Sequence, residues 1–190
     1  MAEPLTPGGA TGRLLALLGA ASMTALLTLV PLEESGRRVE VTVTGEGATI
    51  RHVSGRQYLK AYLDAVGVAT ACDGITRGVK LGQTYTEAQC SQMLILELLE
   101  TAQRVKACSP GLFLPGWEGA RVAAVSLAYN IGYPRFCTST ANKWFRAGQL
   151  SRACDAFLLW NKGRVKGVLT VLPGLKARRE RERKLCLGGL

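Results

Sequence analysis

Nineteen consecutive uncharged residues, Leu14 to Leu32, constrain this chain more than any other feature. The run reads LLALLGAASMTALLTLVPL. As a helix it just reaches across a hydrocarbon core of about 30 Å. Gly19, Ala20, Ala21, Ser22, Thr24 and Thr28 dilute its leucines, so one apolar helix over 14–32 is expected near the threshold of membrane insertion. Such a segment anchors, is cleaved as a signal peptide, or leaves the bilayer slowly; in a soluble protein it is a buried helix. Arg13 precedes it, and Glu33 and Glu34 follow. The cation rule then puts the N-terminus in the cytoplasm and the body on the far side of the membrane.

The net charge is +10, and none of the excess lies in residues 1–35, where Arg13 faces Glu3, Glu33 and Glu34. A basic body fits a polyanionic partner: nucleic acid, an anionic membrane face or an acidic cell wall. No nucleic-acid motif accompanies the charge, so no nucleic-acid partner is expected. All six cysteines fall between Cys72 and Cys186. Their even number, the absence of CxxC pairs and the single histidine, His52, argue against a metal site and for disulfides in an oxidising compartment. Cys90 with Cys108 and Cys137 with Cys154 are the preferred pairs, each closing a short loop, and Cys72 with Cys186 is left by elimination. No cofactor is expected.

Three segments follow from the pattern: a tail and apolar helix over 1–35, a connecting strand and turn over 36–54, and a domain over 55–190. In the connector, Val39, Val41 and Val43 alternate with Glu40, Thr42 and Thr44 before Gly45-Glu46-Gly47. Tyr58 to Thr70 suits a small hairpin. Helical patterning begins at Thr86, breaks at Ser109-Pro110-Gly111, and resumes in Val122 to Ile131, a nearly uncharged stretch suited to the centre of the domain. Asn142 to Phe145, Arg152 to Trp160 and Lys176 to Leu185 read as further short helices. The class is α+β, a small hairpin lobe and then a mostly helical lobe.

Within GRQYLKAYLDAVGVATACDGIT, residues 55–76, the core AYLDAVGVAT resembles the catalytic segment of the phage-type lysozymes, glycoside hydrolase family 24. That segment carries a Glu, eight residues, an Asp, five residues and a Thr; Asp64 and Thr70 match the last two. Downstream, Tyr85-Thr86-Glu87-Ala88-Gln89-Cys90, Ala128-Tyr129-Asn130-Ile131-Gly132, Trp160-Asn161-Lys162 and Arg178-Arg179 with Glu182 continue the likeness over residues 55–187. The weak apolar helix is similar to that of the signal-arrest-release endolysins. The resemblance implies a lysozyme-like fold and a monomeric muramidase acting on peptidoglycan. It implies residence first in the cytoplasmic membrane, through residues 14–32, and then in the host periplasm. It also implies that Asn130 and Gly132 line the substrate groove.

The likeness fails where the chemistry needs it most. Glycoside cleavage ordinarily needs a proton donor and a second carboxylate. Asp64 fits the second role, and Thr70 fits a hydrogen bond to the attacking water. The donor should stand nine residues before Asp64, and that position is Gly55. Three outcomes stay open. Asp73 is the tentative relocated acid if apolar surroundings raise its pKa; Glu46 reaches in from the connector; or the domain binds glycan without cutting it.

Overall fold

The computed structural model describes residues 7–45, 47–64 and 67–190. It divides into two compact units, the residues up to Glu100 and Thr101–Leu190.

The first unit is built on the apolar run. Two helices replace the single one expected: α1, Pro7–Leu18, and α2, Ala20–Ser35. Gly19 breaks them apart at φ 78°, a conformation open to glycine and costly for other residues, and the axes turn by 110°. Among the described residues no single helix is therefore long and apolar enough to cross a membrane, although the bent pair is so by length and composition. Leu14, Leu18, Met23, Leu26, Leu27 and Val30 are buried and form the core of this unit. Full burial of each such side chain contributes about 2 kcal/mol, so the run that could enter lipid is here consumed as protein interior.

Helix α2 ends at Gly36, φ 70°, whose N–H donates to Leu32 O while that of Arg37 donates to Pro31 O. This is a Schellman closure. The alternating valines then form β1, Arg38–Thr44, paired antiparallel with β2, Gly47–Ser54, with Val41 opposite Ile50 and Val39 opposite His52. Strand β1 packs on α2, and β2 on α1. The segment expected as a connector is thus a hairpin that returns to its starting point. A Cβ built on Gly55 would lie 2.4 Å from Gly36 O and 3.0 Å from Arg37 Cα. Beyond it come the short paired strands β3, Tyr62–Leu63, and β4, Ala69–Thr70, and the start of α3, Glu87–Cys108.

The second unit surrounds α4, Glu118–Ile131, whose residues 119–128 are all buried. Its neighbours are α5, Tyr133–Cys137; α6, Thr140–Arg146; α7, Leu150–Asp155; and α8, Pro173–Gly188. Gly119 lets α4 approach α8: a Cβ there would meet Leu185 O at 2.5 Å. Phe145 packs against Trp117, Phe136 and Phe157. Between α7 and α8 the chain forms an unexpected hairpin, β5, Lys162–Val165, with β6, Val168–Val171, turned at Lys166 and Gly167, both at positive φ. Glu182 lies fully buried between two arginines, 3.0 Å from Arg178 Nε and 3.0 Å from Arg179 Nε, and accepts a hydrogen bond from Ser126 Oγ at 2.7 Å. Burial raises the Glu182 pKa, opposed by Arg179 and Arg178.

All six cysteines are paired, but none of the three expected pairings occurs. The bonds are Cys72–Cys90, Cys108–Cys137 and Cys154–Cys186. Cys90 and Cys108 both lie on the continuous helix α3, eighteen residues apart, which separates them by about 27 Å. Each therefore bonds to whatever packs beside its own end of the rod. Cys137 is taken by Cys108, and Cys154 faces α8, which brings Cys186 to it. Cys72 is left to Cys90, not Cys186.

Candidate active site

Asp64 follows β3 and shapes the turn into β4. Its N–H donates to Val68 O at 2.9 Å, its C=O accepts from Gly67 N at 3.0 Å, and its carboxylate Oδ1 accepts from Val68 N at 2.8 Å. The carboxylate is thereby fixed by the backbone it helps to fold, and it is half-buried. Thr70 is buried opposite Tyr62 in the strand pair, and its hydroxyl donates to Val68 O at 3.0 Å. The expected spacing of Asp64 and Thr70 therefore spans the two arms of one small hairpin and brings them together.

Asp73 sits at the tip of the next tight turn, closed by two hydrogen bonds between Ala71 and Ile75. It is buried, as an acid with a raised pKa would need, but its surroundings are not apolar. Arg37 donates Nε to Oδ1 at 3.0 Å and Nη2 to Oδ2 at 2.5 Å, and Ser35 Oγ donates to Oδ1 at 3.0 Å. Both carboxylate oxygens are thus taken up as acceptors of a buried guanidinium and a hydroxyl. Asp73 instead fastens the end of α2 and the base of the inserted hairpin to the strand lobe. Glu46 lies outside the described residues. Gly55, at φ 90° against the Gly36 carbonyl, is a hairpin-base glycine with no room for a side chain.

One carboxylate that reaches this lobe is Glu34, at the end of α2. A Cβ built on Gly74 would be 3.2 Å from Glu34 Oε2, so the glycine after Asp73 makes space for it. The Tyr62 phenol reports the local charge. Its pKa is raised, first by burial, then by the negative charges of Tyr58, Asp64 and Glu34, with Arg56 opposing. Tyr62 stands between these charges, paired across the strands with Thr70.

Sequence reasoning missed Glu34 because it counted nine residues back along a continuous chain. The hairpin over 37–54 interrupts that count. Joining Gly36 to Gly55 shortens the separation of Glu34 and Asp64 from thirty positions to twelve, against the nine required. The available signal was the pair of glycines flanking a run of strand-like alternation directly after Glu33-Glu34.

Asn130 and Gly132 belong to the second unit. Asn130 Oδ1 accepts from Arg179 Nη2 at 3.2 Å, and Gly132, φ 86°, ends α4 and opens α5. Both have structural employment in that unit. Among the described residues no group of three His, Cys, Asp or Glu side chains is placed to hold a metal ion.

Residues 53–182 match the family model described as phage lysozyme. The SAR-endolysin of Pseudomonas phage phiKMV is 38% identical over 127 residues, covering 67% of this chain and 77% of that protein. The SAR-endolysin of Bacteriophage PS119 is 36% identical over 150 residues, 78% of this chain and 84% of its own. Among solved structures, the endolysin from Escherichia coli O157:H7 phage FAHEc1 superimposes with a TM-score of 0.68 at 26% identity, over 87% of this chain and 92% of that one. The family match begins at Val53, on the far side of the hairpin from Glu34.

Proposed function

The chain belongs to the phage lysozyme family, and on that premise we propose that Glu34 and Asp64 are the proton donor and the ionised partner of a muramidase cutting the β-1,4 glycosidic bonds of peptidoglycan during host lysis. Glu34 protonates the leaving oxygen. Asp64, oriented by the hydrogen bond it accepts from Val68 N, faces the positive charge that develops on the sugar ring. Thr70 spends its proton on Val68 O, which leaves its oxygen free to accept a hydrogen bond from the water on the Asp64 side. The observation that carries the reading is the approach of Glu34 to the turn that follows Thr70, with its Oε2 3.2 Å from where a Cβ on Gly74 would stand, beside the hairpin whose backbone fixes the Asp64 carboxylate. A reading as a wall-binding module rested on a missing proton donor, and Glu34 supplies one.

A lytic assay on permeabilised Gram-negative cells tests this assignment. Glu34→Gln is expected to lose about a hundredfold or more, the usual contribution of a general acid. Asp64→Asn is expected to lose at least about tenfold. Glu33→Gln, one residue away and equally half-buried, should keep most of the rate. Full activity in Glu34→Gln, or equal losses at Glu33 and Glu34, would defeat it.

The apolar pair α1–α2 is the proposed membrane segment, with the N-terminus on the cytoplasmic side of Arg13. In the bilayer it spans as one helix straightened at Gly19. In the released monomer it folds into the core described above, and the disulfides form in the oxidising periplasm. Replacing Gly19, Ser22 and Thr24 with leucine should hold the protein in the membrane and delay lysis. N-terminal sequencing of the extracytoplasmic form should return the uncleaved chain. A mature protein that begins after residue 32 would refute release in favour of a signal peptide.

A further inference from the structure

The segment leading into Asp64 carries a second pattern that the cleavage chemistry does not use. Arg56, Tyr58, Lys60 and Tyr62 occupy alternate positions of an extended stretch. That stretch is fixed on both sides: Tyr58 O accepts from Cys72 N at 2.8 Å, Leu59 O accepts from Tyr85 N at 2.9 Å, and Ala61 N donates to Gln83 O at 2.8 Å. Lys60 bridges to Thr84 and Tyr62 pairs with Thr70, and the side chains gather on this stretch through the contacts that follow. The rings of Tyr58 and Tyr62 lie 5.0 Å apart, and the Arg56 guanidinium stands 4.7 Å over the Tyr58 ring. With Gln57 and Ala61 these residues line a concavity of about 480 Å³. No acidic residue occurs between Ser54 and Asp64, and neither Arg56 nor Lys60 is held by a carboxylate among the described residues.

We infer that this stretch is a binding subsite for the acidic peptide stems of the glycan strand, adjoining the point of cleavage. Tyr58 and Tyr62 offer flat, partly apolar surfaces to a sugar ring and its lactyl ether. Arg56, already oriented by its stacking, and Lys60 take the stem carboxylates in charge-assisted hydrogen bonds. A neutral glycan would use only the rings, whereas a stem-bearing strand uses rings and cations together. Continuity with Tyr62 joins the subsite to the pair Glu34 and Asp64, so the inference rests on the reading of that pair as the cleavage site.

The experiment measures kcat/KM on two substrates, intact sacculi and glycan strands stripped of their stems by an amidase. The native chain should prefer the stemmed substrate. In Arg56→Gln with Lys60→Gln, the ratio of stemmed to stripped kcat/KM should fall about tenfold, through KM, and the native preference should shrink at high salt. A native chain without preference, or a variant ratio within about twofold of native, would overturn the subsite. Co-sedimentation of the Glu34→Gln protein with each substrate reads binding without cleavage. If the native chain cuts neither substrate, the cleavage reading fails, and stem-dependent sedimentation that Arg56→Gln and Lys60→Gln abolish still supports the subsite. Sedimentation that does not depend on stems overturns it. A single Lys60→Gln, at an exposed position, keeps the test open should the double variant not fold.

Discussion

Replacing Asp73 with asparagine removes one charge from the interior and should be among the most damaging single changes in the first unit. Arg37 and Asp73 are both under 5% exposed, joined by two hydrogen bonds, with Ser35 adding a third at 3.0 Å. In Asp73→Asn the guanidinium keeps its charge but loses its counterion. The nearest remaining carboxylate, Glu87, is 4.0 Å away and 41% exposed, so it compensates only in part. Stranding one member of a buried pair costs about 3–5 kcal/mol, and the Glu87 contact places the expected loss near the lower end, about 3 kcal/mol. For a chain of this size that is a fall in Tm of about 6–12 °C. Urea titration followed by far-UV circular dichroism measures it. Arg37→Met with Asp73→Leu removes both charges and should recover most of the loss, because an apolar pair leaves nothing unsatisfied. Glu34 immediately precedes Ser35, so Asp73→Asn should also lower the lytic rate at temperatures where the variant is still folded. A loss below about 1 kcal/mol, or a double variant no better than the single one, would refute the anchoring role.

Further outcomes follow from other parts of the molecule. Gly55→Glu, which would restore a lysozyme acid if the chain ran without interruption, should raise no activity and should destabilise by about 2 kcal/mol or more, since its backbone is left-handed and its Cβ meets the Gly36 carbonyl; increased lysis would disprove the hairpin-insertion register. Burial raises the Glu97 pKa, with Arg77 opposing and Glu100 assisting. The native state therefore binds that proton more tightly than the unfolded chain, and this contribution to stability falls as pH rises above the ordinary glutamate value. Glu97→Gln should flatten the pH dependence in that window, read by denaturant midpoints between pH 4 and 7, and an unchanged profile would count against it. Cys154→Ser with Cys186→Ser opens a link between residues 32 apart and should cost about 3–4 kcal/mol. Non-reducing peptide mapping of the native protein should return Cys72–Cys90, Cys108–Cys137 and Cys154–Cys186, and any other set would contradict the fold.

Local chemistry in the sequence was enough to place several features. Asp64 and Thr70 stand six residues apart on a chain whose Gly67 permits a tight turn, so strand periodicity alone brings them together. The buried centre of the second unit was legible in a stretch almost free of charge, and the even cysteine count foretold a fully paired set. These signals depend on neighbours a few residues away. Tertiary contact decided the rest. The partners of Cys90 and Cys108 depend on what packs beside each end of α3, and loop length carries no information about that. The fate of Leu14 to Leu32 depended on whether Gly19 would turn the axis and let both halves close into a core, since the same leucines satisfy lipid or protein equally well. Asp73 beside Gly74 was legible as a turn residue or a relocated acid, but only the contact with Arg37, thirty-six positions away, shows it fastened to the end of α2. Glu34 was hidden by the hairpin over 37–54. Sequence distance counts every inserted residue, whereas a hairpin returns the backbone to its starting point and costs almost no distance in space.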